Sequence, residues 1–212
     1  YARAKTISNT NEGRIMAINE TDVLEDLSFL LGESTVPTAG IDDRKRFIKR
    51  TLREVWTRYP WEFAKTSATM AVSSGTGSLP TNVLQDSAME IRQVVSGDDN
   101  DYIYSQVPFD EKDEYHAGDY KYWLTGYEGA LVLNTKESNA TLDIRFTTTP
   151  PVVNASLTAP FPDAMPIALG ALRYVRIGEN PEADVSQEES NFQRRLEEVW
   201  ANYNMNKPRG ER

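Results

Sequence analysis

Apolar positions along the chain fall into three regimes. Residues 1–18 are polar and aperiodic, with single apolar residues scattered among Asn9, Asn11 and Gly13. They read as an extended N-terminal arm that takes its order from a neighbour. Val23, Leu24, Leu27, Leu30 and Leu31 then recur at helical spacing, with Asn19 or Thr21 as N-cap, Glu20 and Asp22 at the positive end of the dipole, and Gly32 as C-cap. Past a loop holding Pro37 and Gly40, a second helix is predicted from about Asp42. Its stripe is Phe47, Ile48, Leu52, Val55, Trp56 and Tyr59, and Pro60 stops it.

From Trp61 the pattern changes to short β-type runs separated by turn residues. The predicted strands are Glu62–Val72, Met89–Val95, Tyr102–Val107, Tyr120–Leu124, Ala130–Asn134 and Thr141–Thr149. Between them lie 73–77, 97–100, 118–119, 126–129 and 137–139. The last two of these read as hairpin connections, because Gly and Asn tolerate the positive φ of tight turns. Tyr102, Tyr104, Tyr120, Tyr122, Trp123 and Tyr127 make the region rich in aromatics, which favour strands.

Pro150-Pro151 closes the strand region, and helical pattern returns after Pro160. Ile167, Leu169, Ala171, Leu172, Val175 and Ile177 form an apolar segment in which Ala168 and Gly170 allow another helix to pack closely. Gly178-Glu179-Asn180-Pro181 ends it. Ser186 and Glu189 have capping-box spacing ahead of Phe192, Leu196, Val199, Trp200 and Tyr203. Asn204–Arg212 is a polar, basic tail. The expected fold is α+β: a four-helix bundle built from both chain ends, with an inserted antiparallel β-sheet or sandwich of about six strands. The expected domains are an arm (1–18), a helical bundle (19–60 with 160–205), an inserted β domain (61–151) and a flexible C-terminal tail (206–212).

Composition narrows the function. The 212 residues hold 23 Lys plus Arg against 32 Asp plus Glu, a net charge of −9, with one histidine and no cysteine. Lack of cysteine excludes a disulfide framework, thiolate metal sites and cysteine nucleophiles. The acidic balance argues against a general nucleic-acid binder. No apolar run approaches the roughly 20 residues that span a bilayer, and nothing resembles a secretory signal. The chain starts at Tyr1 rather than Met, as expected of a native N-terminus that lies upstream or has been processed.

Catalytic patterns are missing where they would have to be. A Ser-His-Asp triad would need His116, among Asp110, Glu111, Asp113 and Glu114, yet no nucleophile elbow occurs. The 98–101 acidic run fails as a calcium loop, because Ile103 and Phe109 stand where Gly and Glu are required. Gly75-Thr76-Gly77 does not extend to a dinucleotide fingerprint, since Pro80 replaces the third glycine. The carboxylate pairs Glu188/Glu189 and Glu197/Glu198 read as solvated helix faces. No enzyme, metal or cofactor is expected.

Charge, by contrast, is patterned. The second helix carries Arg44, Lys45, Arg46, Lys49, Arg50, Arg53 and Arg58, opposed within that span only by Glu54. Either the helix complements its own dipole with a solvated face, or the face docks on an acidic surface. Glu179, Glu182, Asp184, Glu188 and Glu189 are the matching acidic stretch. Subunit-interface candidates are therefore Arg46, Lys49, Arg50, Arg53, Glu182, Asp184, Glu188 and Glu189. Such a contact joins two different patches, and contacts of that kind close into rings.

Several local motifs also follow one another in a familiar order. Val55-Trp56-Thr57-Arg58-Tyr59-Pro60-Trp61 leads into a strand, a glycine-rich turn and Leu79-Pro80. Gly118-Asp119-Tyr120-Lys121-Tyr122-Trp123 follows, then 130–134 and 142–146, then Pro150-Pro151. Phe161-Pro162 opens the helix with Ala168-Leu169-Gly170-Ala171-Leu172, and Phe192-Gln193-Arg194-Arg195-Leu196 lies in the last. Across residues 20–205 this order resembles the head–tail connector (adaptor) proteins of tailed bacteriophages, including the tail tubular A type. The resemblance implies a virion neck protein, made in the host cytoplasm, in a homo-oligomeric ring of about a dozen copies. Such a ring docks under the portal protein, extends the channel through which double-stranded DNA passes without specific binding, and carries tail or nozzle proteins. A dozen copies would bear roughly −100 formal charges, which keeps DNA sliding. The portal-docking candidates are Asn204, Met205, Asn206, Lys207, Pro208, Arg209 and Arg212. Competing readings are a stopper one ring lower, a carbohydrate-binding β module using the aromatic cluster, and a hydrolase using His116.

Overall fold

A reciprocal cap starts the first helix. In α1 (Glu20–Leu30) the Asn19 side chain accepts the Asp22 N–H at 3.0 Å, and the Asp22 carboxylate accepts the Asn19 N–H at 3.0 Å. At the other end Gly32 takes φ +76°, its N–H reaches the Phe29 carbonyl at 3.0 Å, and the Glu33 N–H reaches that of Ser28 at 2.9 Å. This is a Schellman closure, and it uses the left-handed conformation that glycine adopts without strain. The computed structural model describes residues 18–85, 87, 89–93, 102–151 and 161–205. These divide into two units: residues up to Val55 together with those from Pro151 on, and Trp56–Pro150. The sequence-predicted arm lies outside the described residues except for Ile18, and so does the tail 206–212.

Helices from both chain ends share the first unit: α1, most of α2 (Ile41–Arg58), α3 (Met165–Glu179) and α4 (Ser186–Met205). α3 packs against α1 and α4. Its contact with α2 centres on Gly170, where a methyl group would overlap Thr51 Cγ2 and come within 3.0 Å of the Phe192 ring on α4. The small residue expected to permit close packing therefore does so. One turn on, Arg173 is only 7% exposed. Its guanidinium lies 4.2 Å over the Phe192 ring, donates to Glu54 at 2.7 Å, and also binds Glu189. Burial alone would lower its pKa, but the hydrogen bonds it donates to Glu54 and Glu189 outweigh that and raise it. The charge is kept, and it ties α2, α3 and α4 together.

The start of α4 corrects the expected capping box. Ser186 is already the first helical residue, since the Glu189 N–H bonds the Val185 carbonyl. Asp184 accepts the Ser186 N–H at 3.0 Å instead, and it holds the end of the helix from two residues upstream. Asp163 does a similar job for α3, accepting the Met165 N–H at 3.1 Å while binding Arg195 of α4 at 2.6 Å.

The second unit is a closed barrel of seven strands, not an open sheet or sandwich of about six. The strands are β1 (Lys65–Ser73), β2 (Thr76–Ser78), β3 (Glu90–Gln93), β4 (Tyr102–Gln106), β5 (Lys121–Thr125), β6 (Val132–Thr135) and β7 (Asn139–Thr147). The order around the barrel is β1-β2-β6-β5-β4-β3-β7. β1 and β7 pair antiparallel along their whole length, from Lys65↔Thr147 to Ser73↔Asn139. Alternate side chains fill the interior, among them Met70, Val72, Ile91, Leu133, Leu142, Ile144 and Phe146.

Three further expectations change. Glu62–Ala64 is a short 3₁₀ turn, so the first strand begins later than its apolar pattern suggests. β4 and β5 run parallel (Ser105↔Lys121), which is possible because Val107–Tyr120, including the 3₁₀ turn Phe109–Glu114, provides a crossover. The 126–129 turn is the expected hairpin, whereas 137–139 is not one. It carries the chain from β6 past the β1–β2 hairpin to β7, and Gly75 fixes that path. The Gly75 N–H bonds the Ser138 carbonyl at 3.2 Å, and its carbonyl accepts the Thr135 N–H at 2.9 Å. A Cβ there would sit 2.7 Å from the Thr135 carbonyl. The predicted turn at 97–100 lies outside the described residues, as does the end of the predicted strand Met89–Val95.

Gly170→Ala separates packing from propensity. Helix preference alone would favour alanine by about 1 kcal/mol. Overlap with Thr51 and Phe192 should reverse the sign and cost about 1–3 kcal/mol, read as a lower urea midpoint. A raised midpoint would show that α2 and α4 do not press on α3 there.

Candidate interaction surface

The cations of α2 divide into two sets according to what they touch. Arg44 forks onto Glu33 with two 2.7 Å hydrogen bonds, and Lys45 reaches Glu20 at 2.8 Å. Both tie α2 to α1 or to the loop that follows it, inside their own unit. Ile48, Thr51, Leu52 and Val55 form the buried face. Arg46, Lys49, Arg50 and Arg53 lie on the exposed face at helical spacing. Arg46 makes a 3.4 Å pair with Asp43 while its side chain stays 76% exposed. The Arg50 guanidinium stacks 4.2 Å over the Tyr174 ring, which fixes its plane at the surface.

The acidic candidates also divide. Glu182 and Asp184 are exposed and Glu188 is half-buried in the α3–α4 corner. Hydrogen bonds from the hydroxyl and N–H of Ser186 hold the Asp184 carboxyl below its ordinary pKa. Glu189, however, points inward to Arg173 and accepts Gln193 Nε2–H at 2.6 Å. It works within its own subunit. Asn204 and Met205, read as tail, end α4 instead, with Met205 exposed. Asn206, Lys207, Pro208, Arg209 and Arg212 lie outside the described residues.

The other candidates have structural explanations. His116 is exposed in a loop, where its N–H bonds Asp119 at 2.7 Å. Gly75 and Gly77 are present for close approach: a Cβ on Gly77 would overlap Met70 and come within 2.9 Å of the Ala71 carbonyl. Among the described residues no group of three His, Asp or Glu could hold a metal. None of their helices is long and apolar enough to cross a membrane. Of the aromatic cluster, Tyr104 and Tyr122 are buried in the barrel, with hydroxyls on Gln93 (2.7 Å) and Gln106 (3.3 Å). Burial pushes the Tyr104 pKa up to about 12. Tyr102 stacks on Tyr120 at 4.4 Å. Trp123 is half-buried with Lys136 5.7 Å from its ring, and Tyr127 is exposed, so the six aromatics divide between core and surface.

Sequence reasoning missed the apolar groups that remain at the surface: Phe29 is 75% exposed, Tyr127 71% and Phe109 55%. Phe29 stands outside the α1 stripe, so a helical wheel would have found it. A cavity of about 590 Å³ opens beside Phe109, lined by apolar side chains such as Met89, Val107 and Leu124 and by the polar side chains of Gln85, Gln106 and Thr125.

A family model described as SU10 adaptor protein matches residues 18–211 of this chain. No curated protein matches it.

The Arg44–Glu33 fork makes acid stability testable. Hydrogen bonding from Arg44 holds the Glu33 carboxyl below its ordinary pKa of 4.5. The pair's contribution is therefore present above that value and is lost as pH falls through the lowered one. Urea midpoints of the wild type and Glu33→Gln should differ at pH 7 and converge as the pH falls below 4.5 and through the lowered value. A gap that persists in acid would mean the charge is not what Glu33 contributes.

Proposed function

Since the chain belongs to the SU10 adaptor protein family, a phage head–tail adaptor family, we propose that it forms the adaptor ring of the virion neck. In this reading about a dozen copies dock beneath the portal, continue the DNA channel and present a platform for tail proteins. The helices from both chain ends act as one bundle that makes the subunit contacts, and the basic tail after Met205 reaches the portal. The observation that carries the reading is the family match, which spans nearly the whole chain. The surface supports it. An exposed cationic ridge on α2 and an exposed acidic corner at Glu182 and Asp184 are different, complementary patches, and a contact between them is head-to-tail. A net charge of −9 per copy suits a conduit for DNA, which adheres to positive surfaces.

Electron microscopy of virions tests the location. Density for this chain is expected directly beneath the portal. Density one ring lower would make it a stopper, and density at the tail tip or on the capsid surface would overturn the reading.

Two variants test the contacts. Arg46→Glu with Arg50→Glu and Arg53→Glu should abolish ring formation while the monomer keeps its circular dichroism spectrum, because all three side chains lie on the exposed face and the buried face of α2 is untouched. A normal ring would reduce the ridge to a solvated face. Removing residues 206–212 should leave the circular dichroism spectrum unchanged and eliminate portal co-sedimentation. Full docking by the shortened chain would take the portal contact away from the tail.

A further inference from the structure

Arg50 differs from a freely moving surface cation. Its guanidinium lies 4.2 Å from the centre of the Tyr174 ring, and that ring is itself held twice. Phe47 stacks on it with centroids 6.0 Å apart, and its hydroxyl donates to Glu54 at 3.3 Å. Phe47, Arg50 and Glu54 follow one another along a single face of α2, so the helix backbone fixes the spacing of all three. A guanidinium stacked in this way keeps its N–H groups directed outward in its own plane. That is the geometry which grips a carboxylate with two parallel hydrogen bonds. Among the described residues no carboxylate takes up those groups, since Arg50 has the ring contact and no ion pair. Arg46, by contrast, pairs with Asp43, and Lys49 is a point charge without a fork to orient.

The acidic corner holds the matching group. Asp184 is engaged at the start of α4, where it accepts the Ser186 N–H at 3.0 Å, and Glu188 is half-buried. Glu182 is exposed, and its carboxylate has no partner among the described residues. Its backbone is nevertheless fixed. The Glu182 N–H donates to Asn180 Oδ1 at 3.1 Å, the Ala183 N–H reaches the Asn180 carbonyl at 2.9 Å, and the ring of Pro181 restricts the residue between them. We propose that in the ring Arg50 of one copy grips the Glu182 carboxylate of the next with two hydrogen bonds, and that Tyr174 is the positioning residue for this contact. The pair rests on the ring reading above and deepens it, by naming within a contact of charged patches the bond that sets register. Attraction between the patches brings copies together, whereas a planar two-pronged bond accepts one orientation.

The test titrates full-length chain onto portal and reads, by sedimentation, the protein concentration at half-maximal ring formation. Arg50→Lys keeps the charge and removes the fork. It should raise that concentration about tenfold, the loss of one charge-assisted hydrogen bond. Tyr174→Leu should do the same, while Tyr174→Phe, which keeps the ring and loses only the hydroxyl, should assemble like the wild type. If Tyr174→Leu loses its circular dichroism spectrum, Arg50→Lys decides alone, because its side chain lies on the exposed face. Arg50→Glu and Glu182→Arg should each fail to close rings, and both changes in one chain should assemble at least tenfold more readily than either alone. Wild-type assembly by Arg50→Lys, or a combined variant no better than the single ones, would overturn the pair. The ridge would still stand, provided that reversing Arg46, Arg50 and Arg53 together abolishes rings. Normal rings from that triple variant would instead remove the reading beneath the pair, and the pair with it.

Discussion

The pairing of β1 with β7 is the constraint on which the rest depends. Lys65 faces Thr147 and Ser73 faces Asn139, so the strands that open and close the barrel lie side by side. The inserted unit therefore begins and ends at one place. Trp56 reinforces that closure through a 2.7 Å hydrogen bond from its indole N–H to the Thr148 carbonyl. Trp56 also meets Phe63 edge-on at 5.4 Å, and Trp61 stacks on Phe63 at 5.4 Å. Without this juncture, residues far apart in the chain would have no reason to return to each other. With it, the chain enters the barrel unit at Trp56 and leaves it after Thr148 at neighbouring points.

Within the helical unit, charge and size act at the same place. Gly170 brings α2 and α4 close to α3, and a close approach leaves little room for water. Arg173 then spends its charge on Glu54 and Glu189 instead of on solvent. Such a buried cluster adds less to net stability than its short contacts suggest, because desolvation offsets the attraction. Its value lies in specifying which helices meet. Removing a carboxylate leaves Arg173 charged and enclosed with one partner fewer, whereas Glu54 and Glu189 each keep part of their surface in water. Arg46 on α2 works the opposite way, since its pair with Asp43 stays at the surface, where such pairs contribute little to the fold.

How much of this was legible depended on whether the cause was local. The ends of α1 were readable because Asn19, Asp22 and Gly32 act on their immediate neighbours. The α2 stripe was readable because one face is buried throughout. β2 was not, being three residues long and defined by how closely Gly77 lets it approach β1. The parallel β4–β5 pair was not readable either, because alternation looks the same in both directions. The 137–139 link was misread as a hairpin: its residues suit a tight turn, but Gly75, distant in sequence, decides the path. Arg173 stood between Leu172 and Tyr174 without any sign that it was buried. Glu189 had the spacing of a cap and was claimed by that distant arginine.

The same distinction decides how the aromatic residues should be weighed. Their abundance in the strand region suggested a binding platform, but abundance and exposure are separate properties. Tyr104 and Tyr122 bring their rings into the barrel and their hydroxyls to glutamines, which is what a tyrosine needs when it is buried. They are core residues with a polar end. Phe29, Phe109 and Tyr127 follow no buried periodicity and remain at the surface, where an isolated apolar ring gains nothing from the fold. Isolated exposed rings are ordinary. Phe109 differs because it lines a cavity with Met89, Val107 and Leu124 as well as with Gln85, Gln106 and Thr125, so the ring is one part of a mixed surface and not an isolated apolar group.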